Sequence, residues 1–134
     1  MSPARGSAHL AEDAFAYYPR LARVREWVEG NLSEEITLGD AARVACLERK
    51  YFSTYFRSKV GVPFSSWLVH RRVRRATAIL ASRDCSIAEV AAWTGFGSTR
   101  SFQRHFRAFT GITPRQFKGD QRPSESADAG GSSI

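Results

Sequence analysis

From residue 19 onward, apolar side chains recur three and four positions apart, with no convincing run of alternating or β-branched residues. That spacing predicts helices throughout and no sheet. Pro19 is placed to open a first helix whose apolar stripe is Leu21, Val24 and Val28, ending near Gly30 and Asn31. A second long stretch, FSSWLVHRRVRRATAILAS at 64–82, has no internal Gly or Pro. It predicts one helix of about 28 Å. Residues 1–17 and 119–134 are rich in Ala, Ser, Gly and Asp and read as flexible tails around a folded region at 18–118.

Sliding the chain against itself by about 50 residues reveals a repeat. TLGDAARVACLERKYFSTYFRSKVG (37–61) lies over SIAEVAAWTGFGSTRSFQRHFRAFTG (86–111). Leu38 pairs with Ile87, Ala42 with Ala91, Leu47 with Phe96, Phe52 with Phe102, Phe56 with Phe106 and Gly61 with Gly111. One residue is missing from the first copy's turn. Each copy follows the same order. Thr37 or Ser86 caps a short helix through its hydroxyl oxygen, and a small alanine permits close helix approach. A turn then carries an apolar plug at Leu47 or Phe96, and a longer helix sends two phenylalanines inward and stops at a glycine. The expected fold is all-α: helix-turn-helix subdomains at about 37–60 and 86–110, joined by the linker helix at 64–82. That helix approaches the roughly 34 Å between major-groove faces one turn apart, so it is suited to act as a strut.

Charge sharpens the picture. The chain carries a formal net charge of +7, but Arg49 to Lys118 alone holds 14 Lys or Arg against two acids, Asp84 and Glu89. Arginine far outnumbers lysine there, and its planar fork suits phosphates and guanine edges, so a polyanion is the expected partner. Turning about 100° per residue from Phe102 leaves Arg100, Gln103, Arg104 and Arg107 opposite Phe106 and Phe109. From Phe52 the same construction leaves Lys50, Ser53, Thr54 and Arg57 outward. Arginine pairs bidentately with guanine and glutamine with adenine. Base contacts are therefore assigned to Arg100, Gln103 and Arg104, with Thr99 at the helix start, and in the first copy to Arg49, Lys50, Ser53 and Thr54, which are less well equipped. Phosphate contacts are assigned to Thr37, Arg57, Arg71, Arg74, Ser86, Arg107 and Arg115, with Arg72 and Arg75 as further linker-helix candidates. Not all the linker arginines can face DNA.

The repeat, the long helix and the paired glycine endings resemble the DNA-binding domain of the AraC/XylS family of transcription regulators over roughly residues 20–118. The most specific part is SIAEVAAWTGFGSTRSFQRHFRAFTGITPRQFK at 86–118, with its Gly-Phe, Phe-x-Arg-x-Phe and Gly-x-x-Pro motifs. The resemblance implies seven helices and two recognition helices in adjacent major grooves on one face of bent DNA. It implies a regulator that is mostly an activator, touches RNA polymerase and, in its short stand-alone form, binds as a monomer. Two positions depart from the family pattern. Thr54 stands where arginine is frequent, and Cys46 stands at the usual turn glycine, where a left-handed backbone would strain a residue with a Cβ by ~1 kcal/mol.

Rival readings have less behind them. Basic helices lying on an anionic membrane, or binding nucleic acid without sequence preference, would need lipid-facing apolar surfaces or exposed stacking rings. Here the phenylalanines are better used as core, and Trp67, Trp93, Tyr51 and Tyr55, at helical spacing, read as packing residues. Enzyme chemistry finds no support: His9, His70 and His105 are scattered, with no carboxylate pair, nucleophile motif or phosphate loop beside them. Cys46 and Cys85 have no metal-ligand spacing, and Cys85 reads as an incidental loop thiol. No cofactor or metal is expected. No window approaches the roughly 18 apolar residues of a membrane span, and no signal-peptide core opens the chain, so a cytoplasmic location is expected.

Overall fold

The computed structural model describes residues 11–121. Its helices are α1 (Ala14–Tyr17), α2 (Pro19–Gly30), α3 (Leu38–Val44), α4 (Arg49–Val60), α5 (Phe64–Ser82), α6 (Ile87–Trp93), α7 (Thr99–Thr110) and α8 (Pro114–Gln121). Among the described residues there is no strand, as the spacing predicts, and there are eight helices in place of seven. The parts of the expected tails at 1–10 and 122–134 lie outside the described residues. The N-terminal tail drawn to residue 17 reaches too far, because α1 is packed. The Ala11 N–H bonds the Val60 carbonyl at 3.0 Å. Phe15 is fully buried, its ring stacked on Trp67 at 5.0 Å between centroids. Its partner lies some fifty residues away, beyond the reach of any local periodicity.

Two compact units make up the chain, and the division falls inside α5, between Val69 and His70. In the first, the predicted stripe of α2 (Leu21, Val24, Val28) packs with Ala41, Ala42, Phe52, Phe56, Val60, Phe64 and Trp67. Phe56 meets Phe64 edge-on at 5.4 Å and Trp67 at 5.4 Å. Each such ring taken from water contributes roughly 1.5–3 kcal/mol. In the second, Val73, Ala76, Leu80, Val90, Ala91, Phe96, Phe102 and Phe106 are buried, and Phe106 meets Phe117 edge-on at 5.7 Å.

The duplication therefore extends beyond the turn. Leu21, Val24 and Val28 stand 52 positions before Val73, Ala76 and Leu80, all buried, and Trp67 stands 50 before Phe117. Apart from α1, which belongs to the first unit, both units follow the same four-helix pattern, with α5 closing the first and opening the second.

Local chemistry fixes the short helices. At seven residues α3 and α6 are too short to persist alone, and each starts in a capping box. Thr37 Oγ1 accepts the Asp40 N–H at 3.0 Å while the Asp40 carboxylate accepts the Thr37 N–H at 3.2 Å. Ser86 and Glu89 repeat the arrangement at 3.0 and 2.9 Å. Helices α4 and α7 end at Gly61 and Gly111, whose φ of 101° and 86° are left-handed caps that glycine adopts without strain.

Candidate nucleic-acid interface

Helices α4 and α7 are the second helices of the two turns, each twelve residues long. Their orientation is set by the phenylalanines: Phe52, Phe56, Phe102 and Phe106 are all fully buried. These are the rings that a lipid-lying helix would have to expose. Most of what remains outward is polar. On α4, Arg49, Lys50, Ser53, Thr54 and Arg57 are exposed; on α7, Arg100, Gln103, Arg104 and Arg107 are exposed, with Thr99 half-buried at the first position. Ser98 starts α7 by accepting the Ser101 N–H at 3.0 Å, whereas Glu48 before α4 makes no side-chain cap.

In the second unit α7 and α8 border a concavity of about 680 Å³ lined by Gln103, Arg104, Arg107, Ala108, Thr113 and Arg115. Its lining has three guanidiniums and no acid, so it favours a polyanion. It brings residues assigned to base reading and to phosphate into one depression. Thr113 opens α8 in a third capping box, this one closed by a neutral Gln116.

The turn between the two helices is held by an arginine in both units. Arg20 donates to the Ala45 carbonyl at 2.6 Å, with Cys46 O at 3.5 Å. Arg72 donates to the carbonyls of Thr94, at 3.1 Å, and Gly95. Arg72 is only 5% exposed, and desolvation pulls its pKa below the usual arginine value. It is thus a structural residue, too buried to serve as the phosphate contact expected of it. Arg71 and Arg75 are half-buried and Arg74 is exposed. Helical spacing does set Arg72 apart, in one row with the buried Leu68, Ala76 and Leu80, but its acceptors are carbonyls more than twenty residues away, which no local pattern shows.

Thr37 and Ser86 are exposed at the starts of α3 and α6, but their N–H groups are taken by the carboxylates of Asp40 and Glu89. That leaves each hydroxyl proton as the donor for a phosphate. The Asp40 carboxyl is held below its ordinary pKa, first by the Thr37 N–H, then by the Thr37 hydroxyl and Arg43. Cys46 has φ 61°, the left-handed conformation anticipated for this turn, where its counterpart Gly95 has φ 80°.

Two aromatic readings change. Phe109 does not point inward with Phe106; it is 45% exposed, with its ring 5.9 Å from that of His70. Tyr51 and Trp93 are not interior packing residues but 58% and 38% exposed, while Trp67 is fully buried and Tyr55 is half-buried. The exposure of Tyr51 follows from the same angular spacing on α4 that turns Lys50 and Thr54 outward.

Comparison with known proteins agrees with this geometry. A helix-turn-helix domain model matches residues 41–120. The chain is 28% identical over 98 residues to the HTH-type transcriptional activator AarP of Providencia stuartii, covering 73% of each protein. It is 29% identical over 99 residues to the regulatory protein PocR of Salmonella typhimurium, covering 74% of this chain but only 33% of that one. It therefore spans about a third of that relative's length. Among solved structures, the DNA-binding domain of the global transcriptional factor AdpA, in complex with a target DNA, superposes with a TM-score of 0.73 at 33% identity. The match covers 78% of this chain and 96% of that one. An AraC-type regulator from Chromobacterium violaceum gives a TM-score of 0.74 at 24% identity over 80% of this chain and 96% of its own, a likeness of fold.

Proposed function

Because the chain belongs to the AraC/XylS family of helix-turn-helix transcription regulators, we propose that it grips double-stranded DNA in a sequence-specific way, with α4 and α7 in successive major grooves. The observation that carries this reading is the pairing of the two helices: dry phenylalanines on one side and exposed polar residues on the other, at a constant offset of 50 positions. Arg100, Gln103 and Arg104 read bases from α7, with Thr99 at its start; Arg49, Lys50, Ser53 and Thr54 do so more weakly from α4. Arg57, Arg71, Arg74, Arg107 and Arg115, with the hydroxyls of Thr37 and Ser86, hold the backbone and set register without reading sequence. The family is a class of DNA-binding regulator and not of enzyme.

The protein binds as a monomer, acts in the cytoplasm as an activator and touches RNA polymerase. In support of activation, the similar AarP bears the description of activator. Selection from a random duplex library followed by footprinting tests the reading. One monomer should protect about two helical turns. A one-turn footprint, or equal affinity for all duplexes, would reject it in favour of an unspecific basic module.

A further inference from the structure

We propose that Tyr51 is a sequence-reading residue of the first unit, its ring packing on the 5-methyl group of a thymine. This rests on α4 entering a major groove. At ~100° per residue, the direction opposite the mean of Phe52, Phe56 and Val60 passes between Thr54 and Tyr51, about 20° from one and about 40° from the other. Tyr51 thus stands nearer the middle of the outward face than Arg57, about 80° away by the same measure. It also lies three residues before Thr54, so the two are neighbours on the surface.

The ring is backed, not loose. It lies 6.3 Å from Tyr55, which lies 6.2 Å from Tyr18, and the Lys59 ammonium sits 5.0 Å above Tyr18 and 5.9 Å from Tyr55. An aromatic side chain braced on one side has little conformational freedom left to lose, and a tyrosine presents its contact area through only two torsions. Nothing in the first unit's core uses it, since 58% of its surface is open.

The second unit shows what the residue replaces. There, long readers stand at Gln103 and Arg104, and the counterpart of Tyr51 is Ser101, half-buried with its hydroxyl 3.4 Å from His105 Nδ1. In the first unit the sizes are exchanged: Ser53 and Thr54 are short and residue 51 is large. Small hydroxyls leave room at the groove floor, and the thymine methyl is the apolar mark that an aromatic ring can use there.

The test uses the full chain and its selected duplex. Each thymine is replaced by deoxyuridine in the half of the site that Arg104→Ala leaves unchanged. For the wild type, one replacement should weaken binding about fourfold, the equivalent of one buried methyl group. Tyr51→Ala should lose that sensitivity while Tyr51→Phe keeps it. Tyr17, whose ring lies 4.8 Å from Tyr18, is linked to Tyr51 only through Tyr18 and Tyr55, so Tyr17→Ala should leave the profile unchanged. A selected half-site without thymine, a wild type indifferent to every replacement, or unaltered sensitivity in Tyr51→Ala would overturn the proposal. Any of these outcomes leaves the DNA-binding reading standing, whereas failure to select any duplex sequence would reject both.

Discussion

Among the described residues the first unit buries fifteen hydrophobic side chains and the second nine, yet the second carries the longer of the side chains proposed to read bases, Arg100, Gln103 and Arg104. Their turns differ in the same sense. The first passes through Cys46 in a strained left-handed conformation and starts α4 with no side-chain cap; the second passes through Gly95 and starts α7 with the Ser98 cap. The first unit therefore depends on its core and the second on local geometry. A large core tolerates a poor turn, and a small core requires a good one, because a marginal fold has only a few kcal/mol to lose.

The largest effect that would sharpen this contrast is Phe106→Ala, expected to cost ~3–5 kcal/mol and to melt the second unit ahead of the first. Urea denaturation followed by Trp93 fluorescence for the second unit, and by variants retaining only Trp67 for the first, would separate the two. A single common transition would show that the units do not differ in the way described.

Next come the turn arginines. Arg72→Met leaves the Thr94 and Gly95 carbonyls without a donor in a buried site and should cost about 2–4 kcal/mol. Arg20→Met should cost about 1 kcal/mol, because Arg20 is exposed and water can replace it. Equal losses in thermal denaturation would contradict the difference in burial. In binding, Arg104→Ala should lose ~1–3 kcal/mol at one or two base positions. Arg57→Ala should weaken all duplexes alike and reduce the salt slope by about 1. A base-substitution series at several salt concentrations distinguishes them. The smallest change is Cys46→Gly, which relieves about 1 kcal/mol of left-handed strain but frees the unfolded chain, for a net gain of about 0.5 kcal/mol in the first unit. No gain would mean the turn is relaxed as it stands.

Much of this was legible from residue spacing, and the exceptions share a cause. The inward phenylalanines of α4 and α7, the caps at Thr37 and Ser86 and the glycine stops follow from local rules acting within a turn or two of helix. The burial of Phe15, the bonding of Arg72 and the exposure of Phe109 do not. Phe15 is stacked on Trp67, and Arg72 donates to carbonyls across the second unit; Phe109, placed inward by its angle on α7, is 45% exposed. The longer duplication was hidden because the loop between α2 and α3 differs in length from that between α5 and α6. The matching stripes therefore fall at an offset of 52 and not 49. The exposure of Arg100, Gln103, Arg104, Lys50 and Thr54 follows from their angles on the helices, and so does that of Tyr51, whose aromatic character suggests burial but whose angle gives exposure.

The sharing of α5 has a consequence for how the chain acquires its structure. Starting a helix is unfavourable, because several residues must be fixed before the first hydrogen bond forms, whereas lengthening one adds a bond for each residue fixed. During synthesis the first unit is complete in sequence by Val69, and the helix that closes it continues without interruption to Ser82. The second unit inherits a nucleus and has no need to make its own. Pulsed hydrogen exchange during refolding should find the amides of α5 protected along its whole length before those of α6.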